Sequence, residues 1–307
     1  MFSRFKKRTT LIQNIAFMSL MAAINVVFVL LTTFIPFLVI LMIFILPLTS
    51  VLVTIFCKKR YFLLYFLATT GLCMVCTLWN FSDTLFYVIP SMISGFVFGL
   101  FAIYKFPLLY LILGPSIIYF GFSYASIPLI QLIYGFNIID TFANAFALGD
   151  FIYLDVITPS FIFIIALIQS TISYMIIKEE IKKFNQSVEE NNDFMWLNII
   201  INVVLLGLLT LFAFIYLPIS YLMMIISLMI TIYFISLDIA SRKLISIIID
   251  GIVVFISLLA LLISYQYIPN PYQLLLFGIL EFLITVKTFI NKCLLCRNNK
   301  DKINTLE

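Results

Sequence analysis

Two long stretches of this chain, residues 9–57 and 194–237, contain no charged side chain. Each is more than twice the ~20 residues that a helix needs to cross the apolar part of a bilayer. A water-soluble domain averages about 25% charged residues and could not hide such stretches. Here 64% of the 307 residues are apolar and 10% charged, so lipid is the solvent this chain is built for. Pro36 and Pro218 divide the two stretches. With the shorter uncharged runs they give ten expected spans: 11–34, 37–57, 61–80, 84–104, 106–124, 156–177, 195–216, 219–237, 244–264 and 272–291. The expected fold class is an all-α polytopic transmembrane bundle of about ten helices, with both termini cytoplasmic.

Orientation follows from the basic residues, which stay on the cytoplasmic side of a membrane. With the N-terminus inside, the inner segments are 1–10, 58–60, Lys105, 178–193, 238–243 and 292–307. Together with Lys287, near the inner end of span ten, they hold all 18 Lys and Arg residues. One span more or fewer would put basic clusters outside. The uncharged region 106–139 is long enough for two helices, but two full spans there would flip the 178–183 cluster outward. Residues 125–155 are therefore expected to form an outer segment, partly buried in the interface or dipping back between helices. The basic N-terminal residues precede an apolar run too long for a cleaved signal, so a retained first helix is expected. The polar stretch KEEIKKFNQSVEENND (178–193) divides the helices six and four. The expected domains are 1–178, a six-helix membrane domain; 179–193, a cytoplasmic linker; 194–292, a four-helix membrane domain; and 293–307, a cytoplasmic tail. The wealth of Ile, Phe, Asn and Lys suggests a bacterial AT-rich genome and a cell membrane.

The chain has no histidine. That removes Ser-His and Cys-His nucleophile pairs and HExxH metal sites. No GxxxxGK[ST] loop is present, so ATP hydrolysis by this chain is not expected. No carboxylate pair or glycine-rich loop points to catalysis, and an enzyme is not expected. Two CxxC pairs occur, Cys73/Cys76 and Cys293/Cys296. The first lies ~18–23 Å into span three by helical rise and the second at the inner surface, so they cannot share a metal. No metal, cofactor or nucleic-acid partner is expected.

Ser91, Gly95 and Gly99 stand four apart in span four and line one helix face, where small side chains let another helix approach. Span one has a looser version in Ala16, Ser19 and Ala23. The plain alternative for both is incidental use of small residues. The outer-side charges are Asp83, Asp140, Asp150 and Asp155. They are either solvated loop residues or parts of a site for a cationic or hydrogen-bonding solute, with Asn80, Gln131, Asn137 and Asn144 as partners. Glu281 sits near the middle of span ten, where an acid costs about 2.5–3.5 kcal/mol on insertion scales. It is a structural acid or a functional one. Asp250 and Lys287 fall on consecutive antiparallel spans, ~9 Å and ~6 Å above the inner boundary by helical rise. They are expected to face each other and pair.

The first 178 residues resemble the substrate-binding membrane subunits (S components) of energy-coupling-factor vitamin transporters, and an uncharacterised bacterial family of multi-pass membrane proteins related to them. The resemblance rests on IAFMSLMAAIN (15–25), FIPF (34–37), FILPL (44–48), CKKR (57–60) and VIPSMISGFVFGL (88–100). It implies six helices, an outward-facing solute pocket, and docking of Ala16, Ser19 and Ala23 onto a coupling membrane subunit that works with cytoplasmic ATPases. The helices from 195 onward lie beyond that family's six. The expected function is a solute-binding transporter subunit energised by partners; the alternative is a membrane scaffold or assembly factor without transport activity.

The topology is open to a direct test. A cysteine introduced at Ser187, in the polar stretch between the two sets of helices, should stay unlabelled by an impermeant thiol reagent added outside intact cells. Labelling from outside would refute the count.

Overall fold

A computed structural model of the chain describes residues 8–35, 38–77, 82, 84–135, 139–140, 153–183, 194–241, 244–264, 267 and 272–304. Every long element among them is an α-helix, as it must be where no water can satisfy backbone groups. The ten helices are α1 (Leu11–Phe34), α2 (Val39–Phe56), α3 (Phe62–Cys76), α4 (Ile89–Ile103), α5 (Leu108–Tyr134), α6 (Leu154–Lys183), α7 (Met195–Ile215), α8 (Leu217–Ala240), α9 (Leu244–Ser264) and α10 (Phe277–Asn304). Eight segments are long and apolar enough to cross a membrane: α1, α4 with the π-helical turn Thr84–Val88 that leads into it, and α5 to α10. The chain is a multi-pass membrane protein. Helices α2 and α3 are shorter, at 18 and 15 residues.

The helices form two compact units: residues 1–154 with 161–192, and residues 155–160 with 193–307. In the first, α4 packs along α2 and α5, and α1 packs on α2 and α3. In the second, α10 packs on α7, α8 and α9, and α7 packs on α8.

One expectation is corrected. The helix expected to end at 124 does not end there: residues 125–134 are its last turns, and α5 runs unbroken through Pro128 to Tyr134. Gly135 ends it in the left-handed conformation (φ 72°), donating its N–H to the Gln131 carbonyl. A left-handed glycine is the common way for a helix to stop. Counting charge and proline alone missed this signal. The stretch holds one continuous helix, not two. Of residues 136–152, only Ile139 and Asp140 lie among those described, in a helical turn.

Burial is inverted relative to a soluble protein. On α9 the buried residues are Ser246, Asp250 and Ser257, which share a face, while Ile245, Ile248, Phe255 and Leu262 are exposed. Lipid accepts the aliphatic side chains, and the polar ones turn inward to find partners.

The small residues of α4 do what their spacing predicts. A Cβ on Gly95 would collide with the Pro47 carbonyl oxygen of α2, and one on Gly99 would lie 2.6 Å from Thr54 Cβ. Ser91 is fully buried and accepts a hydrogen bond from Gln169 Nε2 of α6 at 3.3 Å. Pro47 sits inside α2, and α4 closes against its backbone. The glycines thus allow a contact that no larger residue permits.

The turns at the basic ends of α1 to α4 are tied together. Asn14 Oδ1 accepts the Lys58 amide at 3.0 Å, and Asn14 Nδ2 donates to the Arg8 and Thr10 carbonyls at 3.1 and 2.6 Å. The Lys59 ammonium donates to Tyr104 Oη at 2.8 Å and lies over that ring. These contacts gather basic residues from separate segments at one end of the unit, in the grouping that the charge pattern predicts.

Gly95→Ala should destabilise the protein by about 1–3 kcal/mol, the usual cost of overpacking, and lower the melting temperature in detergent. Gly207→Ala should not, since open space surrounds that position and alanine is the better helix former. Equal effects from the two substitutions would show that the α2–α4 contact is not tight.

Candidate functional site

Three polar or concave features stand out. The first is a groove of about 410 Å³ between α1 and α3. Ile15, Met18, Ser19, Ala22, Ala23 and Val26 line it from α1, and Leu64, Ala68 and Leu72 from α3, with Tyr65 also against it. Ser19 and Ala23 are exposed on it, while Ala16 is exposed beside it and is not part of its lining. Small residues on α1 keep the groove open; larger ones would fill it. Behind it lies a buried triad. Asn25 Nδ2 donates to Tyr65 Oη at 2.9 Å, Tyr65 Oη to Thr49 Oγ1 at 3.2 Å, and Thr49 Oγ1 to Asn25 Oδ1 at 2.8 Å. This ring of bonds joins α1, α2 and α3. Hydrogen bonds between membrane helices contribute on average about 0.6 kcal/mol each, so the triad holds the groove walls in register.

The second feature is a polar interior shared by α4, α5 and α6. Ser116 Oγ donates to Ser170 Oγ at 2.9 Å and lies 3.1 Å from the Ala166 carbonyl. The Tyr119 hydroxyl faces Ser91 and Ser123. Gln169 Oε1 and Ser173 Oγ have no hydrogen-bond partner among the described residues. Both residues line a cavity of about 10 Å³ with Pro47, Ser94, Gly95 and Pro115, which is room for roughly one water molecule. Apart from Ser91, marked out by its small size, these hydroxyls carry no signal in the sequence. They are scattered serines in apolar helices, and only packing brings them together.

The third feature lies in the second unit. Lys287 Nζ sits between two aspartates: it is bonded to Asp250 Oδ1 and lies 2.8 Å from Asp238 Oδ2. Asp250 and Lys287 therefore do face each other. The pair expected from their depths is in fact a triad, because Asp238 joins it from the last turns of α8. In the sequence Asp238 falls at the start of the inner segment 238–243. Its side chain is 15% exposed and accepts a hydrogen bond from Ser246 Oγ at 2.6 Å. Lys287 also donates to the Ser246 carbonyl at 3.2 Å. Glu281 is nearly two turns away on α10, fully buried, with no hydrogen-bond partner on either carboxylate oxygen among the described residues.

Three of the outer-side candidates lie among the described residues. Gln131, Asp140 and Asp155 are exposed. Asn80, Asp83, Asn137, Asn144 and Asp150 lie outside the described residues. No group of three or more Cys, Asp or Glu side chains that could hold a metal occurs among the described residues. Cys73 is buried and Cys76 half-buried on α3, both as free thiols, and Cys293 is exposed as a free thiol.

The charge triad makes an asymmetric prediction. Lys287→Met leaves two carboxylates facing each other without a cation, and should cost about 3–5 kcal/mol, as for a broken buried pair. Asp250→Asn or Asp238→Asn leaves one acid with the lysine and should cost less. Exchanging Asp250 and Lys287 recovers only part of the loss, since the acid moved onto α10 would then meet Asp238. Melting temperatures in detergent would rank these variants. An Asp250→Asn cost equal to that of Lys287→Met would mean that Asp238 contributes nothing.

No protein-family model, no curated protein and no solved structure matches the chain. Its function has to be read from its own residues.

Proposed function

We propose that this protein is a non-enzymatic, solute-handling subunit of a membrane transport assembly, and that it docks onto a partner membrane subunit through the groove between α1 and α3. The groove is the observation that carries the docking. It is apolar, faces outward from the helices of the first unit, and is lined on α1 by Ser19, Ala22 and Ala23. Helices associate in lipid through such small-residue faces, because close backbone approach gains dispersion contacts that acyl chains do not supply. The resemblance to S components supports the transport part. In that reading a cytoplasmic ATPase pair supplies the energy, in keeping with the lack of a nucleotide loop in this chain. The polar interior of α4, α5 and α6 is then the place for an uncharged, hydrogen-bonding solute, and the cell membrane is the location.

A second reading, a scaffold or assembly factor, is favoured by a different observation. The described outer-side acids Asp140 and Asp155 are exposed, and the polar cavity beside Gln169 has room for roughly one water, not for a vitamin-sized solute.

A photo-crosslinking residue at Ala23 tests the docking and separates the readings. The expected product joins Ala23 to a multi-pass subunit, in a complex that also contains two cytoplasmic ATPases. Ala23→Trp should abolish this complex with little change in melting temperature, because Ala23 is exposed. A membrane partner without ATPases would select the scaffold reading. No crosslink above that of Phe214, which is 91% exposed on the other unit, would exclude docking at the groove.

A further inference from the structure

We propose that Glu281 is an exchangeable proton-binding site inside the membrane, reached from the basic end of the second unit along a stripe of polar side chains between α7, α8 and α10. Nothing in the transport reading requires this site, and the observations behind it are independent of the groove.

The placement comes from three helices that present polar residues at helical spacing to one interface. Helix α10 contributes Glu281, Thr285 and Thr288, at i, i+4 and i+7; all three are buried. Helix α8 contributes Ser227, Thr231 and Asp238, at i, i+4 and i+11. Helix α7 contributes Asn198 and Asn202, one turn apart and both buried. Residues at these separations lie on the same side of a helix.

The stripe has layers. At the basic end Asn291 Nδ2 donates to Ser246 Oγ at 3.4 Å, beside the Asp238–Lys287–Asp250 triad. Further in, Asn202 Nδ2 donates to Thr285 Oγ1 at 2.8 Å and to Thr231 Oγ1 at 3.3 Å, which joins all three helices. One turn beyond, the stripe ends at Glu281 with Ser227 facing it. From Asn291 to Glu281 is ten residues, or ~15 Å of helical rise. On the far side, Leu206 and Leu209 close against Gly278. Polar side chains thus run from Glu281 to the charged cluster at the basic end, while the leucines beside Gly278 are apolar.

The end of the stripe is also where bonding potential is left over. Both Glu281 oxygens, Ser227 Oγ and Asn202 Oδ1 are buried without a hydrogen-bond partner among the described residues. A carboxylate in an apolar interior with no cation beside it is costly. A proton resolves this: a hydronium on the basic side gives H⁺ to the stripe, one Glu281 oxygen becomes O–H, and the carboxyl can then donate to Ser227. The same proton leaves by the same route.

The other titratable groups around it are few. Helix α7 carries none. Helix α8 carries Tyr221, Tyr233 and Asp238, and α9 carries Asp250. Helix α10 carries Lys287 in the triad and, beyond it, Lys292 and the cysteines and charges of its last turns. Lys287 is engaged by both aspartates and is therefore not Glu281's counter-ion.

The test uses the intact protein in detergent or liposomes with N,N′-dicyclohexylcarbodiimide, an apolar reagent that modifies protonated carboxyls, read by peptide mass spectrometry. Glu281 should be the modified carboxyl. The modification should fall at least tenfold as pH is raised, and sodium ions at fixed pH should not change it. Infrared difference spectra in D₂O should show a carboxyl C=O band that shifts with deuterium exchange and is missing in Glu281→Gln. Thr285→Val should slow that exchange at least tenfold while leaving its final extent unchanged. No modification of Glu281, pH-independent modification, or protection by sodium would overturn the proton site. Unchanged exchange in Thr285→Val would overturn the route.

Discussion

In hydrocarbon a polar group has no water to fall back on, and everything polar in this structure is arranged around that constraint. Backbone groups are satisfied within helices. Side chains that cannot be satisfied within their own helix must find a neighbour, and they thereby decide which helix faces pack. On α9 this selects the face of Ser246, Asp250 and Ser257, and leaves the aliphatic faces to lipid. The hydrophobic effect, which drives soluble folding, has little to discriminate here, because a leucine gains nearly as much from an acyl chain as from another leucine.

The two units meet the constraint differently. The first uses neutral groups: the Asn25–Thr49–Tyr65 ring, the Ser116–Ser170 pair, and the hydroxyls around Tyr119. Each such bond is individually weak, and together they fix which helix faces meet. The second unit uses ions. Three charges are gathered at Lys287, and opening that cluster would expose unpaired charge to lipid.

Close approach is the other organising element. Gly95 and Gly99 bring α4 against Pro47 and Thr54 of α2. The opposite use of small residues occurs on α1, where Ser19 and Ala23 leave space that no part of the described chain fills. The same sequence signal, small residues about four apart, marks a filled interface in one helix and an open groove in another.

That contrast shows where sequence stops. Charge-free runs, prolines and basic clusters determined by themselves that the chain is helical and membrane-embedded, where most helices start and stop, and that Asp250 and Lys287 lie at matching depths, because bilayer thickness and helical rise set lengths and heights without regard to neighbours. Rotation about each helix axis is not set that way. It depends on which faces pack. Only the tertiary structure therefore decided that Asp238 completes the Lys287 cluster, that Glu281, Asn202 and Ser227 share one interface with bonding potential to spare, and that α1 lines a groove while α4 is closed. The same holds for α5, whose end depends on a single left-handed residue, Gly135, which hydropathy does not weigh.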